Sequence, residues 1–246
     1  MMKNKQLVLN LLVFAEKVQK GAVQSELIEE AVALGFRKIE VRREYFKDLA
    51  SERADIKKLA EEYELELFYS VPDEVFVDGN VNPKLGDYLS EAKQMNIKHI
   101  KWNIGDFAHF KGDVTELKSL TEQGIAINIE NDQTQTSGTI SAIDTFMRAV
   151  KEAGVNIGYV YDLGNWRFVG ENEKEAAEQL GKYVRYIHVK DVTYQDNKPQ
   201  AAGLDHGEID WRDILTLLPK DAPIAIEYPT TEKQEILEAK ALLEEE

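Results

Sequence analysis

The chain has 246 residues, 43% hydrophobic and 30% charged, which is the composition of a folded domain and excludes a disordered one. Its formal charge of −15 excludes a generally basic surface of the kind that holds nucleic acid or anionic membrane without specificity. Cysteine is absent, which removes disulfides, thiolate metal sites and cysteine nucleophiles and fits a reducing cytoplasm.

The first apolar run, Leu7–Ala15, follows Lys3 and Lys5 in the manner of a signal peptide. Asn10 inside the run, Glu16 and Lys17 after it, and no small-residue cleavage pattern favour a buried strand over Leu7–Phe14 instead. From there β-rich runs alternate with amphipathic stretches. Ser25–Leu34 precedes a strand at Lys38–Val41, and Ala54–Tyr63 precedes one at Leu65–Ser70. Leu85–Met95 leads to His99–Ile104, and Val114–Gln123 to Ile125–Ile129. Thr139–Ala153, Glu173–Leu180 and Trp211–Leu218 lead in turn to strands at Ile157–Tyr161, Val184–Val189 and Ile224–Glu227, and a last helix covers Lys233–Leu243. Each stretch spaces its apolar residues three and four apart, as a helix laid on a sheet requires. Gly35, Gly124, Gly154 and Gly181 stand where helices should end.

A strand–helix unit about every 30 residues nearly fills the length of a (β/α)8 barrel, so residues 1–246 are expected to form one such α/β domain. No G-x-G-x-x-G or G-x-x-x-x-G-K-[ST] turn supports a doubly wound nucleotide fold. No run approaches the roughly 20 apolar residues of a membrane span.

Barrel chemistry sits at the C-terminal ends of the strands. Four of these ends carry Glu130, Asp162, His188 and Glu227 on consecutive strands. Three converging carboxylates repel one another unless a cation lies between them, and with one imidazole they suit Mn²⁺, Mg²⁺ or Co²⁺, with Zn²⁺ also accommodated.

The succession Ile39-Glu40, Ile129-Glu130-Asn131, Asp162-Leu163-Gly164-Asn165, His188-Val189-Lys190-Asp191, Gly207-Glu208-Ile209-Asp210-Trp211 and Ile226-Glu227 resembles the xylose isomerase-like barrel superfamily over nearly the whole chain. The resemblance implies that Glu130, Asp162, His188 and Glu227 bind one metal, and that Glu130 and Glu227 act as an acid–base pair on a carbohydrate. It implies a sugar isomerase or epimerase working through an enediolate. Glu40, Trp102, Asn103, Trp166 and Lys190 are the candidate substrate contacts: Glu40 on hydroxyls, orienting Arg42 or in a buried salt bridge, the tryptophans stacked on a sugar face or packed in the core, Lys190 near developing charge or paired with Asp191 or Asp162. A dehydratase or lyase on a polyol or keto-sugar and a non-catalytic carbohydrate-binding barrel stay open, as does association into a homo-oligomer.

Three positions depart from the family pattern. Asn165 stands where relatives carry a histidine, Val192-Thr193-Tyr194-Gln195 lacks an expected arginine, and Lys101-Trp102-Asn103-Ile104-Gly105 lacks a strand-four histidine. With only His99, His109, His188 and His206 in the chain, the multi-metal apurinic-site endonuclease branch is disfavoured. The nearest glycine-bearing candidate for phosphate, Ala201–Gly207, carries Asp205 and no basic cluster, which points to an unphosphorylated or weakly anionic sugar.

Overall fold

The computed structural model describes residues 7–245, so Lys3, Lys5 and the terminal Glu246 lie outside the described residues. Eight parallel strands form a closed ring: β1 Leu7–Asn10, β2 Lys38–Arg42, β3 Glu66–Val77, β4 His99–Gly105, β5 Ala126–Glu130, β6 Ile157–Asp162, β7 Val184–Val189 and β8 Ile224–Ile226. Each strand pairs with its sequence neighbours, and β8 returns to β1 through Leu7↔Ile224 and Leu9↔Ile226, so this sheet leaves no open edge among the barrel strands. The expected (β/α)8 architecture is the one observed.

Two apolar layers hold the ring. Val8, Phe68, Val160, Tyr186 and Ala225 fill its interior, while a larger shell packs the outer strand faces against the helices. The helix Ile140–Glu152 shows how the outer layer is made: Ile143, Phe146, Met147 and Val150 are buried at helical spacing. Among the described residues no helix is long and apolar enough to cross a membrane.

Three departures from the expected elements have local causes. The first strand stops at Asn10 because the Asn10 side chain accepts from Leu12 N at 2.9 Å and opens a 3-10 turn over Leu11–Phe14. The expected helix Val114–Gln123 is a 3-10 turn, Val114–Leu117, followed by a single helical turn, Lys118–Thr121. Gly181 has φ −50° and opens a 3-10 turn, unlike Gly35, Gly124 and Gly154, which close their helices at positive φ.

Two hairpins also decorate the end of the barrel where the strands have their C-termini. β3 continues past a register shift between Ser70 and Glu74 and turns back through Asp78-Gly79 to Asn80–Val81. Asp191–Gln195 turns through Asp196-Asn197 onto Lys198–Ala202. Both turn pairs have φ between 51° and 73°, the geometry of tight hairpin turns.

At the end of β4, Gly105 has φ +73°, and a Cβ there would lie 2.3 Å from Phe76 O and 2.6 Å from Glu74 Cβ. Gly86, in the helix Leu85–Gln94, faces open space. Gly105→Ala is therefore expected to destabilise the fold by roughly 2 kcal/mol or more. Gly86→Ala is expected to stabilise it by about 0.5 kcal/mol. Urea unfolding midpoints of the two variants should move in opposite directions.

Candidate metal centre

Strand parity and register bring the four sequence-marked residues together. Asp162 on β6 pairs directly with His188 on β7. Glu130 pairs with Val160, one inward position below Asp162, while Ala225 pairs with His188 and leaves Glu227 one inward position above. All four side chains thus enter the barrel on the same alternation, just above the Val160–Tyr186–Ala225 layer. One ligand atom from each lies within 4.8 Å of every other, and all four residues are buried.

His188 is oriented from below. Its Nε2 lies 2.9 Å from Glu40 Oε2, which also accepts from the Tyr186 hydroxyl at 2.5 Å. A carboxylate can only accept, so Nε2 carries a proton and Nδ1 is turned to the quartet. Nδ1 lies 2.7 Å from Glu130 Oε1 and 3.2 Å from Glu227 Oε2. Both His188 Nδ1 and Glu130 Oε1 are buried without a hydrogen-bond partner. Two orphaned donors converging on one point, with two further carboxylates in reach, fit a single divalent cation.

Cations surround the same carboxylates. Lys101 pairs with Glu130. Lys190 Nζ lies 2.6 Å from Asp162 Oδ2 and 3.4 Å from Glu227 Oε2. Arg42 and Asn10 donate to Glu227 Oε1 at 2.8 and 2.9 Å. Burial raises the Glu130 and Glu227 carboxyls, but His188 and the lysines outweigh it and hold both below the ordinary range. Burial likewise opposes the His188 charge, yet Glu40, Glu227 and Glu130 raise its pKa well above the usual value. Asp162 is pushed up to about 7 by burial, and Lys190 offsets this only in part because Glu227 and Glu130 add to it. Above the quartet opens a cleft of about 340 Å³, bordered by Arg42, Lys101, Asn103, Asn165 and Lys190 among others.

Several expected contacts are placed differently. Glu40 is fully buried beneath the quartet and holds His188 and Tyr186; it does not orient Arg42, whose carboxylate partners are Glu44 and Glu227. Trp102 and Trp166 are 1% and 0% exposed and belong to the outer core, so they are not free to stack on a sugar. Trp102 alternates with Lys101 and Asn103 on β4 and so faces the helices, while Trp166 packs on Tyr161 at 5.8 Å. Asn103 and Lys190 do border the cleft. Asn165 bonds Asn131 O and accepts from Gln133, filling the histidine's usual place with a loop brace. Asn10 and Lys101 also reach the quartet and lie outside the sequence expectations, although a polar residue at an inward position of a buried strand is a signal for them.

The specific-looking Lys190-Asp191 and Gly207–Trp211 elements belong to one loop staple. Asp191 accepts from the backbone of Val192, Gly207 and Ile209 at 2.8, 2.9 and 3.0 Å. A Cβ on Gly207 would lie 2.2 Å from Asp191 Oδ1, so only glycine fits there. The remaining histidines lie away from the quartet: His99 faces Glu66 and stacks on Phe68, His109 meets Asp106, and His206 is exposed.

The xylose isomerase-like TIM barrel family matches the chain over residues 28–246. A search of curated proteins returns no match. Among solved structures, the probable 3-DHS dehydratase AsbF of Bacillus anthracis superposes with a TM-score of 0.70 at 13% identity, covering 98% of this chain and 99% of that one. The IolI protein with a bound zinc atom gives 0.68 at 15% identity, with 98% and 95% covered. D-allulose 3-epimerase from Methylomonas sp. in complex with D-allulose gives 0.67 at 16% identity, with 97% and 95% covered.

Two outcomes are expected of the ligand set. A divalent ion must displace protons from Asp162 and from His188 Nδ1, so affinity for Co²⁺ should strengthen as pH rises through about 7. Titrations at pH 6, 7 and 8 will show this, and equal affinity at all three would contradict it. Glu40→Gln should weaken Co²⁺ binding by about 10- to 100-fold while the fold persists by circular dichroism.

Proposed function

Because the chain belongs to the xylose isomerase-like TIM barrel family, we propose that it is a metal-dependent sugar isomerase or epimerase that moves a proton through an enediolate, with Glu130 and Glu227 as the acid–base pair. The observation that carries this reading is the buried quartet, whose four donor atoms lie within 4.8 Å of one another. Glu130, Asp162, His188 and Glu227 would hold the cation. When bound, a divalent cation supplies Lewis-acid polarisation of a carbonyl and its neighbouring hydroxyl.

The chain's own residues do the rest. Glu130 and Glu227 are held ionised and so can accept a carbon-bound proton. They enter from β5 and from just past β8, on either side of β7 in the ring, so one carboxylate could take the proton and the other return it on the other face. Arg42 and Asn10 fix the orientation of Glu227, and Lys101 that of Glu130. Lys190, between Asp162 and Glu227, offers its ammonium to negative charge growing on the substrate oxygen. Asn103, at the cleft wall, can donate to and accept from a substrate hydroxyl. The same ammonium of Lys190 supports a second reading, a dehydratase on a polyol or keto-sugar, since it could protonate a departing hydroxyl.

After chelation and reloading with Mn²⁺, mass spectrometry should find about one metal per wild-type chain and almost none in Asp162→Ala or His188→Ala. Solvent deuterium should then enter at least one member of a ketose panel, and Glu130→Gln or Glu227→Gln should slow that entry by about 10²- to 10⁴-fold. A wild type that holds no metal would overturn the reading. Metal without deuterium entry, but with loss of one water from a keto-sugar, would decide for the dehydratase.

A further inference from the structure

We infer that Asp132 is a specificity-determining contact, receiving from the substrate a sugar hydroxyl that takes no part in the proton transfer; this rests on the reading of the site above. Three carboxylates border the cleft, Glu130, Asp132 and Glu227. Glu130 and Glu227 belong to the quartet and have cations against them. Asp132 has no ion-pair partner among the described residues. The three cations of the cleft wall are held by other carboxylates: Arg42 by Glu44 and Glu227, Lys101 by Glu130, Lys190 by Asp162 and Glu227.

The loop that presents Asp132, residues 131–139, is braced from several sides. Asn131 bonds the Asp162 backbone and the Tyr159 hydroxyl. Gln133 donates to Asn165, and Gln135 to Val169 O. Ser137 is fully buried and accepts from Gly105 N at 2.8 Å, which ties the loop to the end of β4. Gly138 N closes a turn onto Thr134 O, and a Cβ on Gly138 would lie 2.1 Å from Asp132 O, so the turn is as tight as glycine allows.

Within that frame Asp132 is pinned by one oxygen. Its Oδ1 accepts from Thr134 N at 2.8 Å and from the Thr134 hydroxyl at 2.6 Å, while Oδ2 has no partner among the described residues. What Asp132 offers the cleft is a fixed acceptor, and the donor that a sugar brings is a hydroxyl. The cation and the two glutamates claim the oxygens and hydrogens of the reacting carbons, so this hydroxyl belongs to another carbon. A pre-set acceptor costs no loop ordering when the hydroxyl is present and is left desolvated and unpaired when it is missing, which is how a site discriminates.

The probes are the panel ketose that takes up solvent deuterium fastest and its monodeoxy derivatives at carbons outside the enediolate. Deuterium entry is followed on the intact protein loaded with Mn²⁺, with metal content measured on each variant. Asp132→Ala should lower kcat/KM for the parent ketose at least about tenfold, mainly through KM, at unchanged metal content. In wild type one deoxy derivative should show the same loss, and in Asp132→Ala that derivative and the parent should differ by less than about threefold. Asp132→Asn, whose amide oxygen can keep the Thr134 bonds, should retain the wild-type circular dichroism and lower kcat/KM at least about threefold. Glu74→Gln, which neutralises the carboxylate whose charge Asp132 feels across the rim, should leave rate and discrimination as in wild type. Full discrimination against every deoxy derivative in Asp132→Ala would overturn the inference and leave the metal centre and proton transfer standing. So would a Glu74→Gln loss equal to that of Asp132→Ala, because rim charge and not contact would then be the cause. No deuterium entry into any ketose by the Mn²⁺-loaded wild type would overturn the proton-transfer reading and this inference together, a case decided before any variant is assayed.

Discussion

The organising constraint is the burial of several carboxylates in one small volume. Glu40, Glu130, Asp162 and Glu227 lie at 5% exposure or less, around a histidine at 0%. Such a cluster survives folding only if every charge finds a partner, because desolvation of an unpaired carboxylate exceeds the net stability of a typical domain. Three cations and one imidazole meet that requirement, Arg42 from β2, Lys101 from β4, and His188 and Lys190 from β7 and the residue just past its end. The barrel is what makes this delivery possible. A closed sheet with regular alternation brings inward positions of neighbouring strands into one ring, and the apolar layer of Val8, Phe68, Val160, Tyr186 and Ala225 forms a dry floor beneath it.

Much of the orientation within the ring comes from groups behind and beneath the cleft. Glu40 and Tyr186 fix the imidazole from below. Asn131 ties down the strand that carries Asp162, its side chain bonding both the N–H and the carbonyl of Asp162. Asp162 Oδ1 accepts from the Gly164 and Asn165 amides at 3.0 and 3.1 Å, which leaves Oδ2 for Lys190. The departures from the family pattern therefore sit in the loops and in the cation set, while the donor quartet is complete.

The His-x-Lys-Asp element shows how one short motif serves two purposes. His188 on β7 and Lys190, just past its end, both point inward, to the quartet. Asp191, beyond the end of β7, turns instead to the loop and accepts from three backbone amides, those of Val192, Gly207 and Ile209. That staple anchors the hairpin Asp191–Ala202 at the C-terminal end of the strands, so the most recognisable stretch of sequence is half ligand cluster and half scaffold.

The sequence by itself determined the eightfold beat, the closed parallel barrel and the four residues at its strand ends, because strand period, helix period and the placement of charge at the end of an apolar run are local properties. The hairpins at Asp78-Gly79 and Asp196-Asn197 lie outside the strand–helix beat and became visible only in the fold, although those residue types tolerate the positive φ that they adopt. Only the tertiary structure decided which residues of different strands meet. That Lys101 neutralises Glu130, that Glu40 serves His188 and not Arg42, and that Asn10 reaches Glu227 across 217 residues depends on the register of a closed sheet. It likewise sent Trp102 and Trp166 to the outer core. A one-residue shift reverses every side chain's face, and nothing within a single strand fixes that register; the ring of neighbours does.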